Sequence, residues 1–128
     1  MIVAGIGCRK GASEHDVRAA IAAALDRAGL AGSTLVLVAT AASKGGEPGI
    51  SSAAQALGLP LVLVPQRDLE SQSPRTATCS ARVVALMGVP SVAEAAALAA
   101  GGPAARLVGP KTSVGPATCA LATTVGAP

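Results

Sequence analysis

Met1-Ile2-Val3-Ala4-Gly5-Ile6-Gly7-Cys8-Arg9-Lys10-Gly11 opens the chain, and its reading decides the fold. Ile2 to Ile6 is a short apolar run with no polar face, the pattern of a strand buried on both sides. It breaks into a glycine-flanked turn with two consecutive cations, Arg9 and Lys10, and Ser13 then opens a helix. A strand, a basic turn and a helix in that order aim backbone N–H groups and cations at one place, which suits an anion.

Outward from that stretch, Ser13 to Ala28 has helical periodicity. Val17, Ile21, Leu25 and Ala28 make one apolar stripe, and Glu14 and Arg18 are spaced to pair on the outside. Ser13 with Asp16 forms a short capping box, and Gly29 ends the helix. The layout then recurs. Thr34 to Ala39 is a second buried strand, running into Ala42-Ser43-Lys44-Gly45-Gly46-Glu47-Pro48. Pro48 suits a first helical turn, and Ile50, Ala54 and Leu57 give that helix its buried side. Leu61 to Val64 is a third strand, followed by Pro65, Gln66 and Arg67.

Leu69 to Thr78 is polar and reads as a loop, and a helix is expected from Cys79 to Met87. Ser91-Val92-Ala93-Glu94 opens an alanine-rich helix that stops at Gly101-Gly102-Pro103. Ala105 to Val108 and Ala117 to Val125 read as two final strands, joined by a turn carrying Gly109, Pro110, Lys111 and Gly115. Alternating strands and helices predict one α/β domain over 1–128. It is a three-layer α/β/α arrangement with a mostly parallel central sheet and an antiparallel C-terminal edge.

Composition removes several function classes. The chain has no Phe, Trp or Tyr, so base-stacking platforms for nucleic acid cannot be built. Its net charge of +3 is spread rather than gathered in a run, which fits small anions better than nucleic acid. No apolar run approaches the roughly 18–20 residues of a membrane span, and Met1 leads into a strand rather than a signal peptide. Neither nucleic acid nor membrane is an expected partner. The three cysteines have no CxxC spacing, so no metal site or disulfide framework is expected, and the expected compartment is a reducing cytoplasm. No cofactor is expected: Gly5-x-Gly7-x-x-x-Gly11 misses the dinucleotide spacing by one, and there is no GxxxxGK[ST].

Ligands of open α/β sheets bind beyond the carboxyl ends of the strands. Strand one exits to Arg9 and Lys10, strand two to Ser43 and Lys44, and strand three to Gln66 and Arg67. Lys111 joins them if the fourth strand runs the same way. Such a set would hold a polycarboxylate or polyphosphate. Cys8 reads either as a nucleophile or anion-site thiol beside these cations, or as a small side chain packed at a strand end. His15 falls in an exposed first helical turn. Glu47 can cap its helix or pair with Lys44, and Glu94 fits a capping box with Ser91; both are also acid–base candidates.

Four stretches then match something specific. They are Gly5-Ile6-Gly7-Cys8-Arg9-Lys10-Gly11, Ala42-Ser43-Lys44-x-x-Glu47-x-Gly49, Gly88-Val89-Pro90-Ser91-Val92-Ala93-Glu94-Ala95-Ala96-Ala97-Leu98, and Lys111 followed by Ala117-Thr118. In that order they resemble the CobE / CbiG C-terminal domain family of cobalamin biosynthesis, from residue 2 to about residue 124. The resemblance implies a three-layer α/β domain acting in corrin-ring assembly. CbiG-type proteins open the ring-A lactone of cobalt-precorrin-5A and release acetaldehyde. This chain matches only their C-terminal part, so it looks like the stand-alone CobE form of the aerobic pathway.

The implied ligand is a precorrin or corrin intermediate with acetate and propionate arms, and other enzymes of the pathway are implied partners. Arg9, Lys44 and Lys111 would then meet carboxylates, helped by backbone amides near Gly7 and Gly11. Ser43, Glu47, Ser91 and Glu94 would line or brace the site. Cys8 or Glu94 would act if a lactone is hydrolysed.

Overall fold

The computed structural model describes residues 2–9, 11–30, 35–44, 47–72, 92–102, 104–109 and 111–123. Its centre is strand β1 (Ile2–Cys8), which pairs in parallel with β2 (Leu35–Ala41) on one side and antiparallel with the last strand, β6 (Ala117–Thr123), on the other. β2 pairs in parallel with β3 (Leu61–Val64). On the far side, β4 (Arg106–Leu107) and β5 (Thr112–Val114) both pair antiparallel with β6. The order is therefore β3-β2-β1-β6-β4, with β5 continuing the edge beside β6. β1 to β5 run one way and β6 alone opposes them. The antiparallel pairings lie on the C-terminal side of the sheet, as expected, but β6 itself is interior.

Both central strands outrun their sequence reading. β1 continues past Ile6 because Gly7 and Cys8 find partners in Thr118 and Ala117. β2 continues past Ala39 because Thr40 and Ala41 pair with Leu63 and Val64, and the buried Thr40 hydroxyl donates to the Ile6 carbonyl at 2.7 Å. That hydrogen bond removes the cost of burying a hydroxyl.

Helices cover both faces. α1 (Glu14–Arg27) and α2 (Pro48–Leu57) lie over Ile2, Ala4 and Ile6 of β1 and Cys119 and Leu121 of β6. The Ser13–Asp16 capping box is present, with Ser13 N–H donating to Asp16 at 3.0 Å and Asp16 N–H to the Ser13 hydroxyl at 3.1 Å. Glu14 and Arg18 form the expected ion pair at 3.4 Å. Leu57, expected on the buried side of α2, is 37% exposed. It is the last residue of that helix, and Ile50, Ala53 and Ala54 fill the core in its place.

The opposite face carries α3 (Gln66–Ser71) and α4 (Val92–Gly101). α3 corrects two readings: Gln66 and Arg67 are helical rather than loop, and Leu69, expected in a polar loop, is fully buried. Pro65 supplies the extended residue before α3. The expected Cys79–Met87 helix lies outside the described residues. α4 rests on β1 through small residues. A Cβ on Gly5 would fall onto the Ala93 carbonyl oxygen and within 2.6 Å of the Ala97 nitrogen. Glycine beneath alanine is how a core without aromatic rings reaches close packing here: backbone meets backbone, and dispersion contacts replace large side chains.

The loop expected between the last two strands contains a strand of its own, β5. Thr112-Ser113-Val114 folds back on β6 through a turn whose Gly115 has φ +58°.

Candidate functional site

β1, β2 and β3 all end on the same edge of the sheet, and α1, α2 and α3 begin there. α4 also starts at this edge, since Val92 and Ala93 lie over Gly7 while Ala97 lies over Gly5. The positive ends of four helix dipoles therefore face the region where the strand exits place Arg9, Ser43 and Arg67.

The β1 exit is tightly held. Arg9 N–H donates to the Pro116 carbonyl at 2.9 Å, and the Arg9 carbonyl accepts from Ala12 at 3.2 Å. These two bonds fix the turn while the Arg9 side chain stays exposed, with no carboxylate partner among the described residues. Gly11, at φ +86°, donates its N–H to the Glu47 carboxylate at 3.3 Å. Glu47 occupies the N-cap position of α2 but makes no side-chain cap bond. Its carboxylate instead ties the β1 exit to the β2 exit. Gly49 allows this union, because a Cβ there would strike the Ala12 carbonyl and come within 2.9 Å of the Ser13 carbonyl carbon.

Ser43 is exposed in a single 3₁₀ turn, Ala42–Lys44, of which only the backbone of Lys44 is described. Cys8 is half-buried at the end of β1. Cys119 is fully buried, and burial pushes its thiol up to about 12, so it stays neutral and unreactive.

Lys111 and Glu94 meet elsewhere. β4 and β5 do run with β1, but the edge continues beyond Lys111, and Thr112 pairs with Cys119 opposite Ile6. Lys111 thus falls about 10 Å short of the strand exits, counting three residues of extended chain. Its N–H donates to the fully buried Glu94 carboxylate at 3.0 Å, reached from the α4 face. Its carbonyl accepts from Arg27 at 3.4 Å, reached from the α1 face. Arg27 also donates to the Thr112 hydroxyl at 3.4 Å. One residue on the sheet edge is gripped from both helical layers. Ser91 lies outside the described residues.

Arg27 and Thr112 are the residues that sequence reasoning did not single out. Arg27 reads as an ordinary cation at a helix end, and nothing local links it to residues 111 and 112. A separate groove of about 640 Å³ opens between α1 and the leucines Leu35, Leu57 and Leu59. Among the described residues its walls are aliphatic apart from Glu14, His15 and Arg18, and none of them belongs to a strand exit.

The arrangement is an α/β domain whose first three strands end on one edge, where Glu47 ties the β1 exit to the β2 exit. The chain matches the family model "Cobalamin synthesis G C-terminus" over residues 2–122 and belongs to that family; it is a protein of the cobalamin biosynthesis pathway. It is 37% identical over 121 residues to Protein CobE of Sinorhizobium sp, covering 94% of this chain and 79% of that one. The crystal structure of CobE, a protein from the cobalamin biosynthetic pathway, superposes with a TM-score of 0.88 at 36% identity, covering 95% of this chain and 89% of that one. Cobalamin biosynthesis protein chiG from Agrobacterium tumefaciens str. C58 is 45% identical, with a TM-score of 0.78 and coverage of 98% and 100%.

Proposed function

We propose that this chain acts as a single cytoplasmic domain that binds a precorrin or corrin polycarboxylate intermediate at the carboxyl edge of its sheet, as a carrier or accessory of the pathway. The observation that carries the reading is the convergence of strand exits and helix N-termini around Arg9, held open by the Gly11–Glu47 bond. In this reading Arg9 offers a planar fork to a carboxylate arm, and Ser43, Lys44 and the amides near Gly7 and Gly11 would add further contacts. Lys111 would meet an arm further down the outer edge. The macrocycle faces would rest on aliphatic side chains.

Absorbance titration tests this directly, because a chain without Trp or Tyr adds almost nothing at 280 nm. A corrinoid with free carboxylate arms should stay with the protein through desalting and shift its spectrum. Arg9→Ala or Lys44→Ala should weaken binding by roughly tenfold each, the equivalent of one charge-assisted hydrogen bond. No retention and no spectral shift would sink the proposal.

A second reading is supported by the half-buried position of Cys8 at the strand exit. In it the chain is a hydrolase of a lactone-bearing precorrin. The Cys8 thiolate adds to the lactone carbonyl, the ring oxygen leaves and takes a proton, and water cleaves the resulting thioester. Glu94 is fully buried on the opposite face of the sheet from Cys8 and takes no part in that step. Turnover of a lactonised precorrin by the wild type, lost in Cys8→Ser and kept in Glu94→Gln, would favour it over simple binding. A stable complex with a pathway enzyme that survives Arg9→Ala and Lys44→Ala would instead mark an interaction module.

A further inference from the structure

A pocket of about 140 Å³ lies between the last turn of α1 and the outer edge of the sheet. Arg27 and Ala28 form one wall, Gly109 and Thr112 the other, and Cys119 and Leu121 the floor. Cavities of roughly 150 Å³ hold a molecule the size of benzene, so a carboxymethyl or carboxyethyl group fits with room for water.

Its electrostatics are one-sided. Among the described residues no Asp or Glu lines it, and the Cys119 thiol on the floor stays neutral. Arg27 has no carboxylate within ion-pair distance among the described residues. Its Nη1 is spent on the Lys111 carbonyl and the Thr112 hydroxyl, which holds the guanidinium at the pocket wall. The carbonyl end of α1 alone would repel an anion, and Arg27 in its last turn reverses that sign. The Glu94 carboxylate grips Lys111 from the other face of the sheet and does not line the pocket.

We propose that this pocket is a carboxylate subsite in which Arg27 reads the anion and Lys111, held through both its N–H and its carbonyl, fixes the Thr112 wall. Carboxylate selectivity follows from the pocket itself. That the carboxylate is an arm of a corrinoid rests on the function proposed above. The pocket then extends the ligand-contacting surface from the strand exits down the β5 edge, and gives Arg27 a role in distinguishing a free arm from an amidated or esterified one.

Amide and arginine Nε resonances of ¹⁵N-labelled protein would be followed during titration with sodium propionate. Sodium chloride at equal ionic strength and neutral methyl propionate serve as controls. Saturable shifts are expected at Ala28, Gly109, Thr112 and the Arg27 Nε. Arg27→Gln should weaken binding roughly tenfold or more, and Arg27→Lys should keep part of it, since the charge remains but the fork is lost. Absence of saturable shifts, equal shifts with either control, or unchanged binding in Arg27→Gln would each overturn the subsite. Repeating the titration with a corrinoid bearing free arms and with its methyl ester separates the two claims. Propionate binding without corrinoid binding leaves the subsite standing and removes the corrinoid reading. Corrinoid binding that is indifferent to Arg27→Gln does the reverse.

Discussion

Asp16 shows how a single side chain links sequence to stability. The Ser13 backbone N–H, then its hydroxyl, and to a smaller degree His15 hold the Asp16 carboxyl below its ordinary value of 3.8. A lowered folded-state value contributes stability that is present above the unfolded value and disappears as pH falls through the folded one. Asp16→Asn should therefore flatten the acid limb of the stability curve below about pH 4. In Ser13→Ala the Asp16 carboxyl, followed by NMR, should titrate closer to 3.8. At neutral pH the lost Ser13 cap should cost about 1 kcal/mol in denaturant unfolding. An unmoved Asp16 titration would show that the box is not what lowers it. This box and the Glu14–Arg18 pair were legible because their partners sit three and four residues apart. The partners of Glu47, Glu94 and Arg27 were not, since each is reached only through the assembled sheet.

Among the elements, α4 and the β4–β5 edge depend most on each other. Glu94 is fully buried on α4 and satisfies the Lys111 N–H across the sheet edge. Glu94→Ala leaves that donor without its acceptor and opens a void, and should lower unfolding free energy by about 2–4 kcal/mol. Glu94→Gln keeps a carbonyl acceptor and should cost about 1 kcal/mol or less. Denaturant titrations of both variants, with hydrogen exchange at Lys111 and Thr112, check this. Equal losses in the two would mean that the acceptor is not what the position contributes. At this scale periodicity was a good guide for α1 and α2 but failed for α3 and β5. Five polar residues hide a single buried Leu69, and three residues of β5 are too few to show alternation.

Over the whole molecule, the parallel half of the sheet and its basic exits followed from apolar runs that each ended in a cation. The position of β6 did not, because pairing choice is a property of the assembled chain and not of the strand. That position has a consequence for the order in which the protein can be made. β6 is the keystone between β1 and the β4–β5 edge, yet it emerges from the ribosome after all of them. Until residues 117–123 are available, β1 has an open edge and the outer strands have nothing to pair with. β1 must wait for β6 before its second edge is paired. Pairing Ile2 with Thr123 joins the first and last described residues, and such non-local contacts put folding toward the millisecond-to-second range. In pulse-labelled refolding, amide protection of β1 on its β6 side should therefore appear together with that of β6, and a chain arrested before Ala117 should present the unpaired edge of β1 to whatever chaperone stands at the exit tunnel.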